Sequence, residues 1–188
     1  MKGKIFNAQE VQAMLNGSKV MFREVIKKSL KDFKNIKINQ DGELSAYNKT
    51  KGWYEELKNI KCPYQVGQKI FCKESFAEIL YASDSEYRFG KKIIYRAEDD
   101  SHVIWKLAQH MKQEQSRITM LIKEIKVERL ADISEEDAIA EGVMNHLRIV
   151  HYNPVEYFRQ LWNATHKKPE EKFEANPFVF VYRFELIK

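Results

Sequence analysis

The last apolar run of the sequence, residues 178–186, places the strongest constraint on the fold. Asn176-Pro177 interrupts the chain before this run, and the residues at its start are apolar at successive positions. Because successive side chains of a strand point to opposite faces, such a strand needs apolar cover on both sides. The run therefore predicts a strand in the centre of a sheet rather than at an exposed edge.

Other apolar segments are short and have the period of strands. Within residues 116–130, Ile118, Met120 and Ile122 alternate with polar or mixed positions, and the phase then shifts by one residue before Ile125. A shift of this kind is typical of a bulge or bend in a curved strand. Further strands are predicted at residues 20–26, 69–73 and 93–96.

Three short amphipathic helices are predicted from their capping residues. Asn7 with Glu10 has capping-box spacing, and Gly17 supplies a stop. A second helix begins at Ser134, and Asn153-Pro154 begins a third. Because strands and helices do not alternate regularly, the pattern predicts an α+β domain around a curved sheet or barrel.

The segment of residues 27–61 is expected to be a loop-rich insertion. It is polar and broken by glycines, with a helical turn expected near residues 53–57. Long loops of this kind are more often functional than inert. The remaining elements predict a single domain over residues 1–188.

The charge of the chain is distributed unevenly. The formal net charge is +5. Residues 19–37 hold seven basic and two acidic side chains, whereas residues 128–141 hold six acidic side chains and one arginine. A basic segment can bind a polyanion by releasing the counterions of its phosphates. A solvated surface without a partner is the alternative.

Several classes of protein are disfavoured by the sequence. Cys62 and Cys72 are too few for a disulfide framework, and no apolar run approaches the roughly 18 residues of a membrane span. The first ten residues lack the apolar stretch of a signal peptide. The histidines lack a ligand spacing, and phosphate-loop glycine patterns are absent. We therefore expect a cytoplasmic protein without a metal, a cofactor or a membrane partner.

Lys19 and Glu74 are the candidate pair for chemistry. Lys19 is predicted at the turn between the first helix and the strand that follows it, and Glu74 at the end of a strand. Across a small cleft, such a pair can hydrogen-bond the edge of a nucleobase. Alternatively, a lysine with a lowered pKa can activate a nucleophile while the glutamate transfers protons. An ordinary surface salt bridge is the third interpretation.

A set of motifs resembles the ASCH domain family, in the branch carried by phages and prophages. The motifs are Gly17-Ser18-Lys19 with Arg23, the run of residues 62–76, Ser116-Arg117-Ile118, residues 129–138 with Glu141-Gly142, Leu161-Trp162 and Asn176-Pro177. They occur in order over nearly the whole chain. The resemblance implies a PUA-like β-barrel, a fold that binds RNA and modified bases. Some ASCH proteins are amidohydrolases that deacetylate N4-acetylcytidine.

The residues of the hydrolytic members carry over only in part. Lys19 matches their lysine and Glu74 matches their glutamate, but their second threonine falls on Phe22. Phenylalanine offers no nucleophile, so only a displaced residue such as Ser18 or Ser75 would permit hydrolysis. Phe22 instead offers a face for stacking on a base, or fills the core.

The resemblance and the charge together predict a module that binds RNA or a modified nucleoside in a cleft around Lys19 and Glu74. The predicted ligand-binding residues are Lys19, Phe22, Arg23, Glu74 and Arg117, and the predicted phosphate contacts are Lys27, Lys28, Lys31 and Lys34. If the chain is an enzyme, Lys19 and Glu74 are its catalytic residues. The alternatives are an amidohydrolase acting on an acylated nucleoside and a phage-derived module that binds a protein partner.

Overall fold

The computed structural model describes residues 1–27, 30, 33–39, 41–57, 60–82, 89–98, 102–143 and 153–187. Within these residues the chain forms ten strands and three α helices, which confirms the predicted α+β class. The sheets that these strands form are open. A closed PUA-like barrel is therefore not confirmed.

The strands outnumber the helices. The helices are α1 (Ala8–Leu15), α2 (Glu135–Ala140) and α3 (Pro154–Thr165). The strands are β1 (Lys2–Ile5), β2 (Met21–Val25), β3 (Phe33–Ile38), β4 (Leu44–Asn48), β5 (Trp53–Glu56), β6 (Lys69–Lys73), β7 (Phe76–Ala82), β8 (Phe89–Tyr95), β9 (Thr119–Arg129) and β10 (Phe178–Ile187).

The predicted caps begin all three helices. At α1, the Asn7 side chain accepts from the backbone N–H of Glu10, and the Glu10 side chain accepts from that of Asn7. Ser134 caps α2 and Asn153 caps α3, the latter with a proline in the first turn. These caps satisfy backbone donors that a helix leaves unbonded at its start.

The chain divides into two compact units. Unit 1 comprises Met1–Gly17, Lys69–Met120 and Leu186–Lys188, and unit 2 comprises Ser18–Gln68 and Leu121–Glu185. In unit 1, β1 pairs with β6 in parallel and β7 pairs with β8 in antiparallel orientation. The single domain over residues 1–188 stays a prediction.

In unit 2, β10 lies between β9 and β2, which confirms that the last apolar run is a central strand. One face of β10 presents Val179 and Val181 to a core that includes Phe158 and Trp162 of α3. Its other face carries the buried ring of Tyr182. Both faces are therefore covered, as the successive apolar residues require.

The described part of residues 27–61 is more ordered than expected. It forms a three-stranded antiparallel sheet in the order β3-β4-β5. The helical turn expected near residues 53–57 is wrong, because Trp53–Glu56 is a strand paired with β4. Asn48 is buried at the β4–β5 turn, where its side chain accepts from the backbone N–H groups of Thr50 and Lys51. These bonds define the turn and so the position of β5.

Candidate nucleic-acid interface

Lys19 is buried in unit 2 beside the end of α2. The backbone N–H of the next residue, Val20, donates to the carbonyl of Ala140 at 2.8 Å, so that Lys19 lies opposite Glu141. The Lys19 ammonium donates to the carboxylate and to the carbonyl of Glu141, each at 2.9 Å. Lys19 is 3% exposed. Its charge is therefore compensated within the unit.

Arg23 is the centre of a buried ionic cluster in the same unit. Its guanidinium bonds Glu128 at 2.7 Å, Glu141 at 2.8 Å and Asp137 at 3.1 Å, and its side chain is 0% exposed. Burial lowers the pKa of Arg23, but the charges and hydrogen bonds of Glu141 and Glu128 raise it above the ordinary value. Arg23 therefore remains charged in the folded chain.

The ionic cluster joins the two charged blocks of the sequence. Lys19 and Arg23 belong to the basic block, and the three carboxylates that bind them belong to the acidic block. Lys126 adds a further cation, which bonds Asp137 at 2.8 Å and Glu128 at 2.9 Å. The first two charges of the basic block thus compensate carboxylates of the protein itself.

The ion pairs of Asp137 predict that the folded chain loses stability in acid. Burial raises the pKa of Asp137, but Lys126, together with Arg23, holds it below its ordinary value of 3.8. A carboxylate with a lowered pKa stabilises the folded chain above its ordinary pKa, and the contribution is lost as pH falls through the folded value. We expect the free energy of unfolding to fall as pH drops below about 5, and to fall less steeply in Asp137→Asn.

Urea unfolding at a series of pH values measures this effect. The exposed Asp132→Asn is the matched control, and its profile should run parallel to that of the unsubstituted chain. A profile for Asp137→Asn that is equally parallel would show that Asp137 contributes nothing to the acid dependence.

The buried carboxylate of Glu74 pairs with the partly buried Arg117 in unit 1. Glu74 is 2% exposed, and its two carboxylate oxygens accept from Arg117 Nε at 2.9 Å and Nη2 at 3.1 Å. The Arg117 guanidinium lies 4.2 Å from the centre of the Tyr95 ring and also bonds Glu98. Arg117 therefore contacts the predicted glutamate. Because Glu74 belongs to unit 1 and Lys19 to unit 2, their convergence on one pocket stays a prediction.

Phe22 lies in the core of unit 2. It is 2% exposed, and its ring stacks on Tyr182 with centroids 4.8 Å apart. The rings of Phe22 and Tyr64 form a T-shaped pair, with centroids 6.0 Å apart and planes at 86°. The core interpretation of Phe22 fits these contacts, whereas a stacking face open to a base has no support in them.

The predicted phosphate contacts are only partly described. Lys27 and Lys34 are exposed. Lys28 and Lys31 lie outside the described residues. Lys34 lies on β3, in the segment that was expected to be a loop.

One face of the three-stranded sheet combines exposed lysines with tyrosines. Register places Lys34, Tyr47 and Tyr54 side by side on three successive strands. The Lys34 ammonium lies 5.0 Å from the centre of the Tyr47 ring, and the Lys37 ammonium lies 5.0 Å from that of Tyr54. We call Lys34, Lys37, Tyr47 and Tyr54 the lysine–tyrosine face.

A β-bulge brings the two lysines to the same face. Lys34 and Lys37 are three positions apart in the chain, whereas their partners Tyr47 and Ser45 are two positions apart. The extra residue places the side chains of both lysines on the same face of the sheet. Asn35, which lies in the bulge, has a φ of 51°. Asparagine tolerates this left-handed conformation better than most residues. The bulge at Asn35 thus aims Lys37 across the small Ser45 toward Tyr54.

Of the lysine–tyrosine face, the sequence predicts only Lys34 as a contact, and it does not predict Lys37, Tyr47 or Tyr54. The signal of this face is weak, because the bulge hides the alternation of β3, because β4 contains serine and asparagine, and because β5 is only four residues long and includes two glutamates. The only local hint is that tyrosine and tryptophan favour strands, which argues against the helical turn expected near residues 53–57.

In comparisons with known proteins, no family model, no curated protein and no solved structure matches the chain. The resemblance to the ASCH family is therefore a prediction still. In the part of the chain that the structure describes, no helix has the length and apolar character needed to cross a membrane. Nor do three His, Cys, Asp or Glu side chains of the described residues group so that they would hold a metal ion.

Proposed function

We propose that this chain binds RNA or a modified nucleoside and that the lysine–tyrosine face contacts the ligand. The observation that carries the proposal is the placement of two exposed ammonium groups directly over two tyrosine rings. Lysine compensates phosphate charge, and aromatic rings stack on bases, so one face offers contacts to both parts of a nucleotide.

The ionic cluster favours the three-stranded sheet, rather than Lys19 and Arg23, as the place where phosphates bind. Lys19 and Arg23 each bond carboxylates of unit 2, and a phosphate at either side chain would have to displace them. Lys34 and Lys37 are exposed and lie over uncharged rings. A phosphate can reach these two lysines without breaking a buried ion pair.

A PUA-like ASCH module remains our proposal for the finer fold, and its support is the order of the motifs along the α+β chain. Hydrolysis of an acylated nucleoside has less support. The Lys19 ammonium is bonded to Glu141, and Phe22, at the threonine position of the hydrolytic members, is in the core. We therefore favour binding without turnover.

Salt dependence tests the proposed function. The probe is a short fluorescein-labelled RNA of mixed sequence without self-complementarity, and the measurement is fluorescence anisotropy over a range of salt concentrations. Each phosphate that is neutralised on a single strand contributes a slope of about −0.7 to log K against log salt. The double variant Lys34→Gln/Lys37→Gln should bind more weakly and should reduce the steepness of the slope by about 1.4.

The matched control removes two exposed lysines from another part of the chain. Lys91 and Lys92 are exposed on β8 in unit 1, so Lys91→Gln/Lys92→Gln makes the same change in net charge. This variant should keep the affinity and the salt slope of the unsubstituted chain. If both double variants lose affinity equally, the attraction is a general effect of net charge and the assignment to the lysine–tyrosine face is wrong. Absence of binding at low salt would contradict the proposed function itself.

A further inference from the structure

We infer that the lysine–tyrosine face binds single-stranded nucleic acid, with unpaired bases stacked on Tyr47 and Tyr54 and with phosphates held by Lys34 and Lys37. This inference rests on the proposed function and specifies its ligand. It excludes a duplex as the preferred ligand, although a duplex carries the higher density of phosphate charge.

The angle between the two rings carries the inference. The ring centroids of Tyr47 and Tyr54 are 5.4 Å apart and their planes meet at 77°. Bases within a duplex lie parallel and cover one another, so their faces are closed to a protein side chain. Two bases that lie flat on these two rings must be turned strongly relative to each other. A flexible single strand allows this arrangement, whereas a helix does not.

The exposure of the Tyr54 ring supports the same conclusion. Tyr54 is 47% exposed on β5, which is an edge strand of its sheet. The ammonium groups over the rings are the flexible ends of long side chains, which can move toward a phosphate when a base occupies the ring face. The cation–π contacts of the free chain therefore occupy the positions that bases take in the complex.

The position of the lysines gives the ligand an orientation. Both lysines lie on β3, at the edge of the sheet opposite to β5. Phosphates bound there place the backbone along β3, with the bases directed over β4 and β5. The register adds Glu56 to this face, opposite Ser45. A backbone that lies along β3 keeps its charge away from this carboxylate.

The test compares three ligands of equal length at one salt concentration. They are the single-stranded RNA, its duplex with the complementary strand, and an abasic strand that keeps the phosphates. We expect the single strand to bind most tightly and the abasic strand to lose about tenfold or more in affinity. Tyr54→Leu should weaken binding of the single strand by about tenfold while leaving binding of the abasic strand unchanged. Tyr54→Phe should retain the affinity of the unsubstituted chain.

Trp53→Leu is the matched control, because Trp53 is the neighbouring exposed aromatic residue on β5 and alternation places it on the opposite face of the sheet. It should leave binding of all three ligands unchanged. If the duplex or the abasic strand binds as tightly as the single strand, or if Tyr54→Leu has no effect, this inference is overturned. The proposed function survives that result as long as Lys34→Gln/Lys37→Gln still lowers affinity. If none of the ligands binds, both fail.

Discussion

Replacement of Arg23 by methionine is expected to destabilise the chain by about 3–5 kcal/mol. The substitution removes a guanidinium with a fully buried side chain and leaves Glu128, Asp137 and Glu141 without the cation that joins them. Lys19 and Lys126 still bond these carboxylates, but the one cation that contacts all three is lost, and their buried negative charge is then only partly compensated. Urea unfolding followed by circular dichroism measures the loss.

Arg159 offers a matched control for this prediction. It also bonds two carboxylates, Glu156 and Glu174, both at 2.6 Å, but its side chain is 38% exposed. Arg159→Met should cost much less than Arg23→Met, because water solvates the charges that remain. Equal losses in the two variants would mean that the cluster around Arg23 is solvated in the folded chain. The buried arrangement would then be wrong.

The Arg23 cluster shows what sequence analysis could and could not predict. Both charged blocks are visible in the sequence, but their partnership joins Arg23 to Glu141 over 118 positions. No local pattern reports such a contact. Taken alone, the basic block predicts binding of a polyanion, with a solvated surface as the alternative, and the predicted phosphate contacts are Lys27, Lys28, Lys31 and Lys34. The structure divides it into Lys19 and Arg23, which stabilise the fold, and Lys34 and Lys37, which are exposed.

Local signals predicted local structure well. The capping box of Asn7 and Glu10 is a contact between residues three positions apart, so the sequence contains all of its determinants. The strand Lys69–Lys73 has the predicted limits. The three-stranded sheet was missed because its pairing depends on β3 meeting β4 around a bulge. Polar residues in an exposed sheet resemble those of a loop.

The proposed interface and the ionic cluster have different consequences for substitution. Substitution of Lys34 and Lys37 should lower the affinity for RNA with little effect on stability, since both side chains are exposed and neither bonds a buried carboxylate. Substitution of Arg23 should mainly lower the free energy of unfolding. Measurement of both quantities on each variant separates a residue that binds ligand from one that maintains the fold.

Replacement of Phe22 by alanine gives the second large effect and decides the role of this residue. We expect a loss of about 3–5 kcal/mol in the free energy of unfolding, because the truncation leaves a cavity beside Tyr182 and Tyr64. Phe22→Leu, which keeps most of the volume, should cost less. Tyr54→Ala is the control for loss of an aromatic ring at an exposed position, and it should change stability little.

Phe22 as a pocket residue predicts the opposite pattern. A ring that stacks on a base in an open cleft contributes to affinity, so its removal would weaken RNA binding and leave urea unfolding nearly unchanged. The core position predicts full affinity for Phe22→Ala under conditions where the variant is folded, since the ring touches Tyr182, Tyr64 and Phe184. Binding measured well below the unfolding transition, together with the unfolding curve, therefore distinguishes the two roles. Loss of affinity without loss of stability would place the ligand at Phe22 and count against the lysine–tyrosine face.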